Sequence, residues 1–344
     1  MSCQRQVFGH CNLGTYSTKY PSKKEVSMMY SNKSVLLIAG GGTLGTYVSE
    51  ELLRLGASVE VICPEEKHSN NERLVFHQSL ATEELLRKLF SKKHYDGIVN
   101  FIHYKEVEDY KKIHPLLISN TDHLIFLSSY RVYADEQHPI TEEAPRLYDV
   151  VTDRDFLEHE DYAVPKAKCE DYLRKERAGE PWTIVRPVIS FSSKRLDLLL
   201  YSGKDVLEFA ERNEEMRMPR FVKDYAAGFD WAGNSGKLIA NLLFKSDAMG
   251  EAFTVYSGHG MTWGEVAEAY SSLTGVTVCW CSEAEYVSNT PKTVSQPWIW
   301  KYDRRFNRDI DCSKILRVTG LSKQDFISVE EGIRRELEVI RTAN

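Results

Sequence analysis

Two hydroxyl-bearing residue types and an amine stand in an order that suggests proton transfer. Tyr162 and Lys166 are four positions apart in Tyr-Ala-Val-Pro-Lys, a spacing that puts both side chains on one face of a helix start. An ammonium beside a phenol favours the phenolate, and the tyrosine can then exchange a proton with a substrate hydroxyl. Ser128 and Ser129 end an apolar run that starts at Leu124. A hydroxyl at the carboxyl end of a strand in an open α/β sheet faces the ligand crevice and can hold charge developing on an oxygen. A Tyr-x-x-x-Lys pair alone is common on amphipathic helices. Its weight here comes from the strand-end serines and from a glycine turn upstream.

That turn is Gly40-Gly41-Gly42-Thr43-Leu44-Gly45, which satisfies G-x-G-x-x-G through Gly40, Gly42 and Gly45. Side chains here would block the tight turn and the approach of a pyrophosphate to backbone N–H groups, and a helix N-terminus adds partial positive charge. The motif is specific because it follows a strand pattern and opens a helical one. An acid at the end of the second strand usually bonds the adenosine ribose of such a ligand. Here Cys63 stands there, followed by Pro64, Glu65, Glu66 and Lys67. Glu65 is a candidate for the ribose and Lys67 for a 2′-phosphate, so NAD and NADP both stay open.

The elements that must position these groups follow from periodicity. Val35-Leu36-Leu37-Ile38-Ala39 is a continuous apolar run, as expected of a strand buried on both faces. A helix follows up to Gly56, then strands over 59–63 and 74–77, a helix over 83–90, and strands over 97–102 and 124–128. A helix over 161–178 and a strand over 183–185 complete the alternation, which implies a parallel sheet covered on both faces. Residues 191–220 read as irregular and partly helical, and 221–257 as a helix and strand returning to the sheet. A helix over 263–273, a strand over 277–281, a long loop and a closing helix over 329–341 end the chain.

Composition narrows the classes. The 344 residues allow about two domains, or one large α/β domain with a lobe. A net charge of −6 argues against a sequence-blind nucleic-acid binder. The longest apolar run, near 35–39, is far below the ~20 residues of a transmembrane helix. Seven scattered cysteines with no C-x-x-C read as reduced thiols of a cytoplasmic protein. Cys279 and Cys281 lack clustered histidines, so no metal site is expected. Residues 1–33 are polar, without the apolar core of a signal peptide, and read as an N-terminal extension.

Taken together, AGGGTLG, LSSYRVY, YAVPK, Val185-Arg186-Pro187, Phe221-Val222-Lys223-Asp224, Gly250-Glu251-Ala252-Phe253 and Asp311-Cys312-Ser313-Lys314 make the chain resemble the extended short-chain dehydrogenase/reductases of the NAD-dependent (NDP-sugar) epimerase/dehydratase group. The resemblance spans about 34–341. It implies a Rossmann-type, doubly wound parallel sheet with a smaller C-terminal α/β substrate lobe. The NAD(P)-binding domain would comprise 34–190 plus about 221–257, and the lobe 191–220 and 258–344. Ser129, Tyr162 and Lys166 would be catalytic. Gly40, Gly42, Thr43, Leu44, Gly45, Phe101 and Pro187 would line the cofactor, and the partner would be a nucleotide-diphosphate sugar. The expected reaction is epimerisation through transient oxidation at a sugar carbon, C4 first, with NAD slightly preferred over NADP.

Several positions depart from that group. The stretch from Gly97 to Ser129 is short, as in an atypical subgroup, and leaves a homodimer weakly supported. Ile102 replaces a small alanine, and His103 would lie beside the nicotinamide. The segment Arg186-Pro187-Val188-Ile189-Ser190-Phe191 lacks the group's asparagine and terminal glycine. The dehydratases carry an acid one or two places past the catalytic hydroxyl, where this chain has Tyr130 and Arg131. Epimerase or 4-keto-sugar reductase therefore ranks above dehydratase, although Glu158, Glu160 and Asp161 lie near Tyr162. Arg131, His103, Arg220 and Arg305 are substrate-contact candidates. Arg195, Arg217, Arg304 and Arg308 are further candidates for a diphosphate, and the Trp298-to-Tyr302 run for stacking on a base. The alternative of another class is a non-catalytic, RNA-binding or regulatory member.

Overall fold

The computed structural model describes residues 29–343, so most of the expected extension and Cys3 and Cys11 lie outside the described residues. Packing against the core is present before the first strand. Tyr30 is buried and its hydroxyl donates to the carbonyls of Ala240 and Leu243 at 3.1 and 3.0 Å.

Eleven strands are β1 (Ser34–Ile38), β2 (Ser58–Cys63), β3 (Leu74–Gln78), β4 (Tyr95–Asn100), β5 (Thr121–Leu127), β6 (Trp182–Pro187), β7 (Ile189–Phe191), β8 (Glu215–Pro219), β9 (Phe229–Trp231), β10 (Glu251–Val255) and β11 (Thr277–Cys281). Seven of them form one sheet in the order β10-β6-β5-β4-β1-β2-β3, with every pairing parallel. Val35, Leu36, Leu37 and Ile38 of central β1 are fully buried, because helices cover both faces. Each such side chain contributes about 1.5–3 kcal/mol on leaving water. The covering helices include α1 (Thr43–Arg54), α2 (Glu83–Phe90), α3 (Val107–Ile118) and α4 (Ala163–Glu176). The chain steps outward from β1 to β3 and then crosses back to β4 on the other side of β1. Loops diverge at that reversal and leave a crevice at the strands' carboxyl ends.

The later chain interleaves. Helix α5 (Gly203–Glu211) precedes β8, α6 (Ala232–Leu242) leads to β10, and α7 (Trp263–Thr274) leads to β11. β8 and β11 pair in parallel as a small second sheet, and β7 pairs with β9. Met216, Met218, Trp263, Tyr270 and Tyr286 pack there in a core separate from the one under β1. β8 falls inside the stretch read as irregular. Its signal is one short alternation, buried Met216 and Met218 about half-buried Arg217, bounded by Pro219. The expected long loop after β11 contains a helix at Glu283–Asn289 and short turns as far as Arg304. Helix α8 (Ser313–Thr319) buries Ile315 in the core under the sheet, and α9 (Val329–Ala343) closes the chain. Among the described residues, no helix is long and apolar enough to cross a membrane, no cluster of His, Cys, Asp or Glu could hold a metal ion, and the five cysteines are free.

Candidate active site

A cavity of about 380 Å³ opens at the carboxyl ends of β1, β4, β5 and β6. One wall is backbone. Gly45 is required by close approach: a Cβ there would sit 2.1 Å from the Gly40 carbonyl oxygen. Gly40 itself stands off the wall, where a Cβ would meet that of Leu37 at 2.7 Å. Around Gly42 a Cβ would meet nothing within 4 Å, because the residue faces the open cavity. Thr43, Leu44, Gly45, Phe101 and Pro187 line the same space.

Helix α1 has no side-chain cap, whereas Thr82, Ser202 and Thr262 cap α2, α5 and α7. Its first N–H groups are therefore open to an anion. This uncapped turn, open at Gly42 and close-packed at Gly45, fits a dinucleotide pyrophosphate. At the end of β2, Cys63 is buried, and the Lys67 ammonium donates to the Gly41 carbonyl at 2.6 Å. Neither Glu65 nor Lys67 lines the cavity.

The opposite wall is made of side chains. β5 stops at Leu127, so both serines lie just past it. Ser128 Oγ donates to Glu170 Oε1 at 2.5 Å, and that buried carboxylate is also held by Arg186 at 2.5 and 2.9 Å. Although burial opposes ionisation of Glu170, Arg186 and its hydrogen bonds hold the carboxyl below its usual range. Ser128 is thus committed to the scaffold. Ser129 Oγ only accepts from the Arg131 N–H at 3.2 Å, capping the turn Tyr130–Val132, which leaves its O–H to donate to a ligand.

Tyr162 stands immediately before α4 and lines the cavity. The Lys166 ammonium is 5.4 Å from the Tyr162 ring centre and donates to the Leu127 carbonyl at 2.5 Å. Lys166 is buried off the wall, and burial pushes its ammonium below the usual lysine value, with Tyr162 acting in the other direction. The His103 ring lies 5.1 Å from that of Tyr162, and its Nε2 donates to the Asp161 carbonyl at 2.6 Å. Burial and then the Lys166 charge push His103 down. The Arg131 guanidinium stands 4.7 Å from the Tyr162 ring centre.

Glu160 holds this corner together. It is buried, accepts the N–H groups of Tyr162 and Val164 at 3.0 Å each, and takes Arg131 Nη2 at 3.1 Å. The sequence signal for this role is an acidic residue just before a helix start, although by sequence alone Glu160 reads only as an acid near Tyr162.

Other expected contacts go elsewhere. Arg220 and Arg305 line a separate groove, where Arg220 donates to the Trp280 carbonyl at 2.9 Å and Arg305 pairs with Glu283 at 3.2 Å. Arg304 and Arg308 are buried around Asp303. Trp298 and Tyr302 pack on Phe156, and Trp300 on Tyr286. Arg195 does reach the cavity wall.

No protein-family model matches the chain, and no curated protein matches it in sequence. Solved structures do match in shape. An epimerase from Methanothermobacter thermautotrophicus is 17% identical over 93% of this chain and 97% of its own, with a TM-score of 0.64. A UDP-glucose 4-epimerase from Thermotoga maritima, solved with UDP-glucose, is 16% identical over 90% and 99%, with a TM-score of 0.62. A dTDP-glucose 4,6-dehydratase from Bacillus anthracis, in complex with NAD, is 15% identical over 89% and 96%, with a TM-score of 0.63. The chain has the Rossmann-type α/β fold of these two epimerases and this dehydratase.

Proposed function

We propose that this protein is an NAD(P)-dependent nucleotide-sugar epimerase, with Tyr162 as the acid/base. The observation that carries the reading is that an uncapped glycine turn, the Ser129 hydroxyl and Tyr162 share one cavity. Residues 34–190, with about 221–257, would hold the cofactor, and 191–220 with 258–344 the sugar nucleotide. The fold's likeness to the two epimerases and the dehydratase supports the same class.

The glycine turn and the start of α1 would hold the pyrophosphate, with Phe101 and Pro187 against the rest of the dinucleotide. A bound oxidised nicotinamide would supply the acceptor for the sugar carbon's hydride, a proton with two electrons, and in its reduced form the donor for the return. Tyr162 takes the proton of the C4 hydroxyl as the carbonyl forms. The Ser129 O–H donates to that oxygen and holds its developing charge. After the 4-keto sugar turns over, Tyr162 returns the proton, and the epimer leaves with no net redox change. Lys166 would keep positive charge close to the phenol. NAD is preferred over NADP because the Lys67 ammonium is already engaged by Gly41.

Among the described residues no carboxylate lines the cavity, and Glu160 is engaged by two backbone N–H groups and Arg131. Water elimination would lack its acid, which favours epimerisation over dehydration. The test is incubation of the purified protein with UDP- and dTDP-sugars, with mass spectrometry of the co-purifying dinucleotide. Epimer formation that Tyr162→Phe lowers by about 10²–10⁴-fold is expected. No turnover by the wild type, or turnover indifferent to Tyr162→Phe, would overturn the proposal.

A further inference from the structure

Among the described residues, Arg131 and Arg195 are the two charged side chains on the cavity wall, and Arg131 stands at the reacting end. Its guanidinium is 4.7 Å from the Tyr162 ring centre, and its side chain is only 15% exposed. One carboxylate, Glu160, accepts a hydrogen bond from it, at 3.1 Å. The other oxygen of Glu160 is occupied by the Tyr162 and Val164 N–H groups.

The second nearby carboxylate, Asp303, lies 3.6 Å from Arg131 Nε, beyond hydrogen-bond distance. Asp303 is already shared by Arg304, by Arg308 at 3.3 Å and by the Tyr130 hydroxyl at 2.7 Å. Arg131 Nε is buried toward Asp303 with no hydrogen-bond partner. The Glu160 and Asp303 carboxylates meet the charge, so what Arg131 offers a ligand is the terminal guanidinium N–H groups that Glu160 leaves unused. Its planar fork suits a carboxylate.

We propose that Arg131 recognises an anionic substituent of the sugar itself, so that the preferred substrate is a nucleotide-uronic acid rather than a neutral nucleotide-hexose. This rests on the epimerase reading of the cavity. A diphosphate is the other anion that such a substrate carries, but Arg131 sits against the acid/base tyrosine, where the reacting carbon and its neighbours must lie. Arg195, 54% exposed and paired with Asp197 at 2.8 Å, is the wall cation left for a phosphate.

The test compares UDP- and dTDP-glucuronate with UDP- and dTDP-glucose, by titration calorimetry and by turnover, on the NAD-supplemented protein. The wild type is expected to bind and turn over a uronate at least about tenfold better than its neutral match. Arg131→Gln should weaken the uronate about 100-fold, mainly in Kd and KM, and the neutral sugar only a few-fold. Arg131→Lys should restore part of that gap, whereas Arg195→Gln should weaken both substrates alike.

Equal affinity of the wild type for charged and neutral sugars would overturn the proposal, as would equal losses on both in Arg131→Gln. Turnover of neutral sugars alone would sink it and leave the epimerase reading standing. Selective uronate binding with no turnover of any sugar would support it and sink that reading instead.

Discussion

The two walls of the cavity are built by opposite means. The cofactor wall is a short turn contributed mainly by the consecutive residues Gly42 to Gly45, in which the two glycines leave out side chains where close approach needs it. The reacting wall is side chains, Ser129, Arg131 and Tyr162 among them, tied from behind by Glu160, Lys166 and Asp303. The first kind of wall is specified locally, and few substitutions at Gly45 can keep it. The second is specified by distant partners, so changes to it should grade from loss of chemistry to loss of position.

The largest effects should separate the walls cleanly. Tyr162→Phe removes the proton acceptor and leaves the turn intact, so turnover should fall by about 10²–10⁴-fold while dinucleotide affinity, read by calorimetry, stays within about twofold. Gly45→Ala drives a Cβ into the Gly40 carbonyl, 2.1 Å away, and should abolish dinucleotide binding and lower stability by about 3 kcal/mol. Gly42→Ala meets no protein atom within 4 Å, so the free protein should melt normally and lose only affinity for the dinucleotide. If Gly42→Ala melts as low as Gly45→Ala, the turn is strained throughout and the contrast fails.

Within the reacting wall, the adjacent serines should behave differently. Ser129→Ala removes the donor aimed at the substrate oxygen and should cost about 10–100-fold in kcat with little change in Tm. Ser128→Ala leaves the Glu170 carboxylate short of one hydrogen bond and should cost about 1–3 kcal/mol in stability with a smaller effect on kcat. Glu160→Gln keeps the shape but weakens the acceptor for two N–H groups and the pair with Arg131. Turnover should drop roughly tenfold and Tm modestly, since a buried charge-assisted contact is worth about 1.5–3 kcal/mol. A Ser128→Ala kcat loss as large as that of Ser129→Ala would mean that the strand-end assignment is reversed.

This division explains what the sequence can be made to show. A strand run followed by Gly40 to Gly45 announces itself because missing side chains leave a pattern, and the serines and Tyr162 follow from strand ends and helix spacing. The arginines do not. Arg220, Arg304, Arg305 and Arg308 read alike as cations free to grip phosphate, but Arg304 and Arg308 are buried around Asp303 and the other two line another groove. Burial of a charge depends on partners far along the chain, and one sequence carries no record of those pairings. β8 escapes for a related reason: its short alternation gains a partner only when β11 pairs beside it.

The smallest predicted effect lies beneath both walls. His123 on β5 is fully buried; its Nδ1 accepts the Phe244 N–H at 2.9 Å and its Nε2 donates to Thr183 Oγ1 at 2.8 Å. The Thr183 hydroxyl spends its own hydrogen on the Ala248 carbonyl, which fixes it as acceptor and the ring as neutral. A second proton on the ring would turn Nδ1 into a donor facing the Phe244 N–H. Burial accordingly pushes His123 down from 6.5 to about 4.

Between those values the unfolded chain binds the proton and the folded chain does not, so stability rises with pH across the window and is complete above the unfolded value. Falling from pH 7.5 to 6 should cost a little under about 1 kcal/mol, seen as a Tm lower by about 1–3 °C. His123→Gln keeps a donor and an acceptor without the titration and should flatten that part of the Tm profile. Because β5 leads directly into the serines and β6, its neighbour through Thr183, carries Pro187, the acid loss should lower dinucleotide binding and turnover together. Loss of turnover with dinucleotide binding intact over the same range would instead place the titrating group on the reacting wall.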